Sequence, residues 1–162
     1  MSTPTILTAS HGCVYAPGLA RIGLWSTTRI GWEKLLEFEG KVAIITGAAG
    51  GIGSAVSMAF ARDGCQVAAL DINETALEVL AEKADGLPGK VIPVLADAFD
   101  PNQVQESVAS TLEWTGKIDV LVNCVGGSTV IPNTGRPVEE LSLEEWKKVV
   151  DFNLDSTFLF CR

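Results

Sequence analysis

The stretch VAIITGAAGGIGSAV, Val42 to Val56, decides how the rest of the chain is read. It opens on a short apolar run rich in Val and Ile, the pattern of a strand buried on both faces of a parallel sheet. The run ends at Thr46-Gly47 and releases four glycines within seven residues. Ile52, Ala55, Val56, Ala59 and Phe60 then recur at helical spacing, and Gly64 supplies a stop. A strand, a glycine turn and a helix in this order present unpaired N–H groups and the positive end of a helix dipole, which suit an anion such as a pyrophosphate. A side chain at Gly47 would obstruct the turn. At Gly51 the backbone is free to approach a phosphate, and Gly53 lets the helix lie tight against the strands. Gly47, Gly50, Gly51, Ile52 and Gly53 are therefore the expected phosphate-binding positions. No Lys-Ser or Lys-Thr pair follows the glycines, which excludes a P-loop. Taken alone, a glycine-rich strand–helix turn that binds nothing is the plain alternative.

Working outward, QVAALD (Gln66–Asp71) reads as a second apolar strand. Asp71 ends it, 20 residues after Gly51, where a carboxylate accepts hydrogen bonds from adenosine ribose hydroxyls and repels a 2′-phosphate. Ile72 follows and no Lys or Arg stands in the glycine turn, so NAD is expected over NADP. Asp71 as a mere turn residue capping the next helix is the competing reading. Asn73 is the expected N-cap of a helix carrying Ala76, Leu77, Leu80, Ala81 and Ala84 on one face, closed by Gly86. VIPVLAD (Val91–Asp97) makes a third strand, and Pro93 places it near a sheet edge. Asp100-Pro101 with Gln103 reads as N-cap, first-turn proline and capping-box partner of a helix burying Val104, Val108, Leu112 and Thr115. IDVLVN (Ile118–Asn123) is a fourth strand, followed by a Gly/Pro-punctuated loop. Ser142 with Glu145 forms a second capping box and opens a last helix towards Arg162. Strands alternating with helices define an α/β domain with a parallel sheet and right-handed crossovers.

Composition narrows the function. The 162 residues are 47% hydrophobic and 20% charged, ordinary for a globular domain. A net charge of −8 argues against nucleic acid or an anionic membrane as a partner. The four cysteines are far apart and His11 is the only histidine, so neither a metal site nor a Ser-His-Asp triad is expected. Free thiols suit a reducing, cytoplasmic compartment. No apolar run approaches the roughly 18 residues that span a bilayer. Residues 1–38 read as a poorly ordered extension ahead of a domain at 39–162. Its acid-free start, with Arg21 and Arg29, raises organelle targeting as a weaker alternative.

These residues resemble the short-chain dehydrogenase/reductase family, a Rossmann-like doubly wound fold. Thr46 to Gly53, TGAAGGIG, fits that family's cofactor turn in full. Asp97-Ala98 matches its adenine-contacting position. NCVG, Asn123 to Gly126, stands where the family usually has Asn-Asn-Ala-Gly; Asn123 and Gly126 agree, while Cys124 and Val125 depart. Asn153 matches the helix asparagine of the catalytic tetrad. The resemblance implies about four strands of an incomplete sheet in the order 3-2-1-4, and NAD held by the glycine turn, Asp71, Asp97 and Ala98. It also implies Asn123 and Gly126 at the nicotinamide-side ribose and a water-positioning role for Asn153. The family interconverts small alcohols and carbonyls by hydride transfer, commonly as homo-oligomers, through a Ser and a Tyr-x-x-x-Lys motif. Nine residues follow Asn153, none of them Tyr or Lys, and Tyr15 has Leu19 four residues on. The expectation is a cofactor-binding portion without turnover of its own, since a missing general acid typically costs about 10²–10⁴ in rate. A non-catalytic NAD-binding or interaction module is the alternative.

Overall fold

The computed structural model describes residues 38–162. Four strands and four helices alternate: β1 Val42–Thr46, α1 Gly51–Arg62, β2 Gln66–Asp71, α2 Glu74–Lys83, β3 Val91–Leu95, α3 Pro101–Thr115, β4 Val120–Asn123 and α4 Leu143–Cys161, with a short 3₁₀ turn at Val138–Glu140. The sheet is wholly parallel, in the order β3-β2-β1-β4. The chain moves outward from β1 to β3 and then returns to lay β4 on the other side of β1. That reversal leaves a crevice beyond the carboxyl ends of β1 and β4, where open α/β sheets bind ligands.

Alternating side chains of the central strands feed two cores. Ala43, Ile45, Val67 and Ala69 face α1 and α2, packing with Leu77, Leu80 and Ala84. Ile44, Ala68 and Leu70 face the other way, towards Val108 of α3 and Phe160 of α4. All five β1 residues are buried, as a strand covered on both faces requires. Both sheet edges are more open. β3 carries Pro93 opposite Ala69, at an edge that needs no donor there, and β4 is half-buried along its whole length.

Two helices bury a different stripe from the one their apolar periodicity suggested. In α1 the buried residues are Gly53, Ser57 and Ala61, while Ile52, Ala55 and Ala59 face outward. Small residues bring this helix close to the sheet, and larger ones at those positions would hold it off. In α3 the buried face is Val104, Ser107 and Thr111, with Leu112 exposed. Ser107 and Thr111 satisfy their own hydroxyls by donating to the carbonyls of Val104 (2.8 Å) and Ser107 (2.7 Å), so burying them leaves no orphan donor. A further close approach was not foreseen. Gly89 lies against the Cys65 backbone so tightly that a Cβ there would collide with the Cys65 carbonyl oxygen.

The predicted caps form at three helices. Asn73 accepts from Ala76 N–H at 3.1 Å. Asp100 accepts from Asn102 and Gln103 N–H. Ser142 and Glu145 close a full capping box. Gln103 behaves differently from the expected box: its Oε1 accepts from Asp97 N–H at 2.9 Å and its Nε2 donates to Asp100 Oδ2 at 3.0 Å. The side chain thereby ties the end of β3 to the start of α3. Residues 1–37, and with them His11, Cys13, Tyr15 and the expected extension, lie outside the described residues. Phe38, placed in that extension by the sequence, stacks on Phe60 with ring centroids 4.3 Å apart. No helix among the described residues is long and apolar enough to cross a membrane.

Candidate functional site

The glycine turn is built by contacts that admit no side chain. Gly47 sits at φ +62°, and a Cβ on it would meet the Cys124 carbonyl at 2.9 Å. Gly53 packs so closely that its Cβ would collide with the Gly47 carbonyl oxygen. Ala48 N–H donates to Leu70 O at 2.9 Å and Gly50 N–H to Gly47 O at 3.0 Å, pinning the turn to β2 and to itself. Gly51 is the opposite case: it is exposed, and nothing lies within 4 Å of where its Cβ would be. Gly50 occupies the N-cap of α1 and offers no side chain, so α1 begins without a side-chain cap.

Asp71 turns its carboxylate onto the glycine turn. Oδ2 accepts from Ala49 N–H inside the glycine turn at 3.0 Å, and Oδ1 accepts from Asn73 N–H at 3.1 Å. A carboxylate offers about four acceptor positions, so roughly two remain for a ligand. The expectation that Asp71 merely turns the chain into α2 captures only the Asn73 bond.

A cleft of about 390 Å³ lies over the strand ends and draws lining from all four. Thr46 ends β1 and Gly47 and Gly50 follow it, Asp71 ends β2 and Ile72 follows it, Asp97 to Phe99 follow β3, and Cys124 to Gly126 follow β4; Phe152 reaches in from α4. Asp97 Oδ1 accepts from Phe99 N–H at 2.9 Å, which shapes the β3–α3 turn. Charged groups lining the cleft are Asp71 and Asp97, with no Lys or Arg among them. Burial pushes the Cys124 thiol up from its ordinary pKa, leaving it a neutral apolar wall. Of the expected residues, Gly47, Gly50, Asp71, Asp97, Ala98 and Gly126 line this cleft. Gly51, Ile52 and Gly53 belong to the first turn of α1 at its rim, with Ile52 76% exposed. Asn123 is not in the lining: its Nδ2 donates to Cys161 Sγ at 3.8 Å, and its Oδ1 is buried without a partner. A larger groove, about 630 Å³, runs between α1 and α2 past Arg62 and Lys83 and holds none of the expected site residues.

Asn153 is fully engaged by backbone. Its Oδ1 accepts from Gly127 N–H at 2.9 Å, and its Nδ2 donates to Gly127 O at 2.8 Å and Val149 O at 2.7 Å. Gly126 passes so close that a Cβ there would lie 2.5 Å from Asn153 Oδ1. The amide thus clamps the loop after β4 onto α4. Sequence reasoning missed three contributors. Thr46 is buried, and its Oγ1 accepts from Cys124 N–H (3.1 Å) and Val125 N–H (3.4 Å), locking the end of β4 to β1. Phe99 and Phe152 stack with centroids 5.2 Å apart. Their adjacency to Asp97 and Asn153 was the available signal, but only the fold brings the two rings together.

A parallel sheet with a reversal at β1/β4, a bare helix terminus and a strand-end carboxylate define a Rossmann-like nucleotide-binding architecture. The family model for short chain dehydrogenases matches residues 41–162, and the chain belongs to that family of oxidoreductases. It is 39% identical over 124 residues to a D-threitol dehydrogenase of Mycolicibacterium smegmatis, covering 76% of this chain and 46% of that protein. It is 41% identical over 123 residues to a 3-oxoacyl-(acyl-carrier-protein) reductase of Thermotoga maritima, covering 76% and 48%. Among solved structures, an NAD⁺-bound xylitol dehydrogenase superposes with a TM-score of 0.67 at 29% identity, over 78% of this chain and 47% of that one. The chain spans about half the length of the relatives it matches.

Proposed function

We propose that residues 39–162 form the NAD(H)-holding portion of an oxidoreductase that interconverts a small alcohol and a carbonyl compound. The observation that carries this reading is the uncapped start of α1 beside a glycine turn onto which Asp71 turns its carboxylate. The Gly51, Ile52 and Gly53 amides would take the pyrophosphate, with no Cβ at Gly51 to hold it away. Asp71 would accept the adenosine ribose hydroxyls through its remaining lone pairs. Asp97 and Ala98 would border the adenine. Gly126 and Asn123 would lie on the nicotinamide side. When bound, the nicotinamide supplies or accepts hydride; the chain's part is to orient it and keep water from one face. Asn153 contributes by holding Gly127 in place, and a water-positioning role there would use groups other than its already-bonded amide. Assembly as a homo-oligomer in the cytoplasm is part of the same proposal, supported by the family and by the exposed Trp146, Leu154 and Phe158 of α4.

NAD is favoured over NADP because the cleft holds two carboxylates and no cation to receive a 2′-phosphate. Placing like charges side by side costs several kcal/mol, so NADH is expected to bind at least about 10-fold more tightly than NADPH. Titration of both by fluorescence decides it, and equal affinity or an NADPH preference overturns the assignment.

A further inference from the structure

The cleft over the strand ends has a neighbour. A shallower groove of about 350 Å³ lies beside it, lined by Val130, Lys148, Asp151 and Asp155. The two share two lining residues, Phe99 and Phe152, the stacked pair. The rings therefore form the wall that separates one space from the other. Phe99 is held by its own N–H, which donates to Asp97 Oδ1, while Gln103 Oε1 accepts from the Asp97 N–H. Phe152 precedes Asn153, whose amide is fixed to Gly127. Each ring is thus mounted on a hydrogen-bonded anchor, and the pair spans from the β3–α3 turn to α4.

The direction of a ligand along the cleft follows from its polar anchors. Phosphate at the start of α1 and ribose at Asp71 leave the base to extend past the end of β2 to the end of β3. There the wall is made by Ala98, whose side chain ends at its methyl, and then by Phe99. We propose that the Phe99–Phe152 pair closes the base end of the cleft, so that Phe99 sets how large a purine the site accepts. The inference rests on the dinucleotide reading above. With the exocyclic amino edge of the base turned to the pair, bulk on that edge would meet the rings, while an unsubstituted base would gain flat apolar contact.

The test pairs a removed ring with an added one. NAD⁺ and its N6-benzyl derivative, which keeps one N6 hydrogen, are titrated by calorimetry against the unaltered chain, Phe99→Ala, and the milder Phe99→Leu. The unaltered chain is expected to prefer NAD⁺ by about 10-fold or more, the discrimination a shaped apolar pocket gives. Phe99→Ala opens the wall into the neighbouring groove, bringing the ratio to about one or reversing it, and Phe99→Leu falls between. A ratio that stays constant across chains that still bind NAD⁺ overturns the gate and leaves the dinucleotide reading standing. Failure of the unaltered chain to bind NAD⁺ overturns both. If Phe99→Ala does not fold, Phe99→Leu decides, with any fall in the ratio above about 3-fold supporting the gate.

Discussion

Four helices begin within the described residues, and their first turns are finished in two different ways. α2, α3 and α4 are closed by Asn73, Asp100 and Ser142, each accepting from a first-turn amide. α1 begins at Gly50 with no side chain to offer. Every helix start leaves first-turn amides without an intrahelical partner (one fewer at α3, where Pro101 has no N–H), and forgoing a side-chain cap sacrifices about 1 kcal/mol. On the proposed function, three starts serve stability and the fourth keeps its donors for the dinucleotide, beside the end of β2, whose Asp71 turns its carboxylate onto the glycine turn.

The sharpest way to separate the two roles is to make one chemical change two residues apart. Gly53→Ala puts a methyl into the Gly47 carbonyl, a backbone contact that cannot move without shifting the turn. It is expected to destabilise the domain by about 3 kcal/mol or more, the upper end for overpacking. Gly51→Ala meets nothing and is expected to change stability by less than about 1 kcal/mol, upward if at all, while weakening NADH binding. Urea denaturation of both variants reads the first difference and NADH titration the second. Equal stability losses would remove the distinction between a packing glycine and a ligand-facing one.

How far the sequence showed this depends on the range of the interactions. Caps are local: Asn73, Asp100 and Ser142 were readable because their partners lie two or three residues away. Strand order was readable through the resemblance, and Pro93 independently marked an edge. The buried stripe of α1 was not, because the sheet selected Gly53, Ser57 and Ala61 for closeness over the larger Ile52, and periodicity weighs only apolarity. The Gly89–Cys65 contact and the Phe99–Phe152 stack join residues far apart in the chain and leave no local signature. Asn153 was named as a site candidate, but its pair of hydrogen bonds to Gly127 could not be inferred before the loop had a path.

Supplying α1 with the cap it lacks reverses the comparison. Gly50 has φ −74° and ψ 168°, an ordinary N-cap geometry, although a Cβ there lies 3.2 Å from Gly47 O. In Gly50→Asp the new carboxylate competes for the first-turn amides and repels phosphate. NADH affinity is expected to fall by about 10- to 100-fold, equal to about 1.4–2.7 kcal/mol. Unchanged affinity would show that the α1 amides do not meet the ligand. The converse changes are smaller. Asn73→Ala and Ser142→Ala are each expected to cost about 1 kcal/mol of stability in denaturant titration while leaving NADH affinity within about 2-fold. A cap variant that lost binding in step with α1 variants would mean that all four helix ends act as one unit.

The weakest effect comes from acid, and it distinguishes the starts by chemistry rather than position. Asp100 is held below its ordinary pKa of 3.8, first by the Asn102 N–H and then by Gln103. Glu145, in the α4 capping box, is held below 4.5 by the Ser142 N–H and then by Arg136. For a carboxyl whose folded pKa lies below its unfolded value, the folded state binds fewer protons through that interval. Its stabilisation is complete above the unfolded pKa and is lost as pH falls through the folded one. The window therefore opens near pH 4.5 for Glu145 and near pH 3.8 for Asp100, and extends downward in both cases. The start of α1 has no titrating cap, and that of α2 is closed by the neutral Asn73. Amide hydrogen exchange from pH 6 to pH 3, corrected for intrinsic rates, should show protection falling at Asn102, Gln103 and Ser142 relative to Ala76. Asp100→Asn keeps a cap but removes the titrating carboxyl, so the α3 amides should then follow Ala76. Loss of protection at Ala76 together with the α3 and α4 amides would mean that acid loosens the whole domain and that the caps do not act separately.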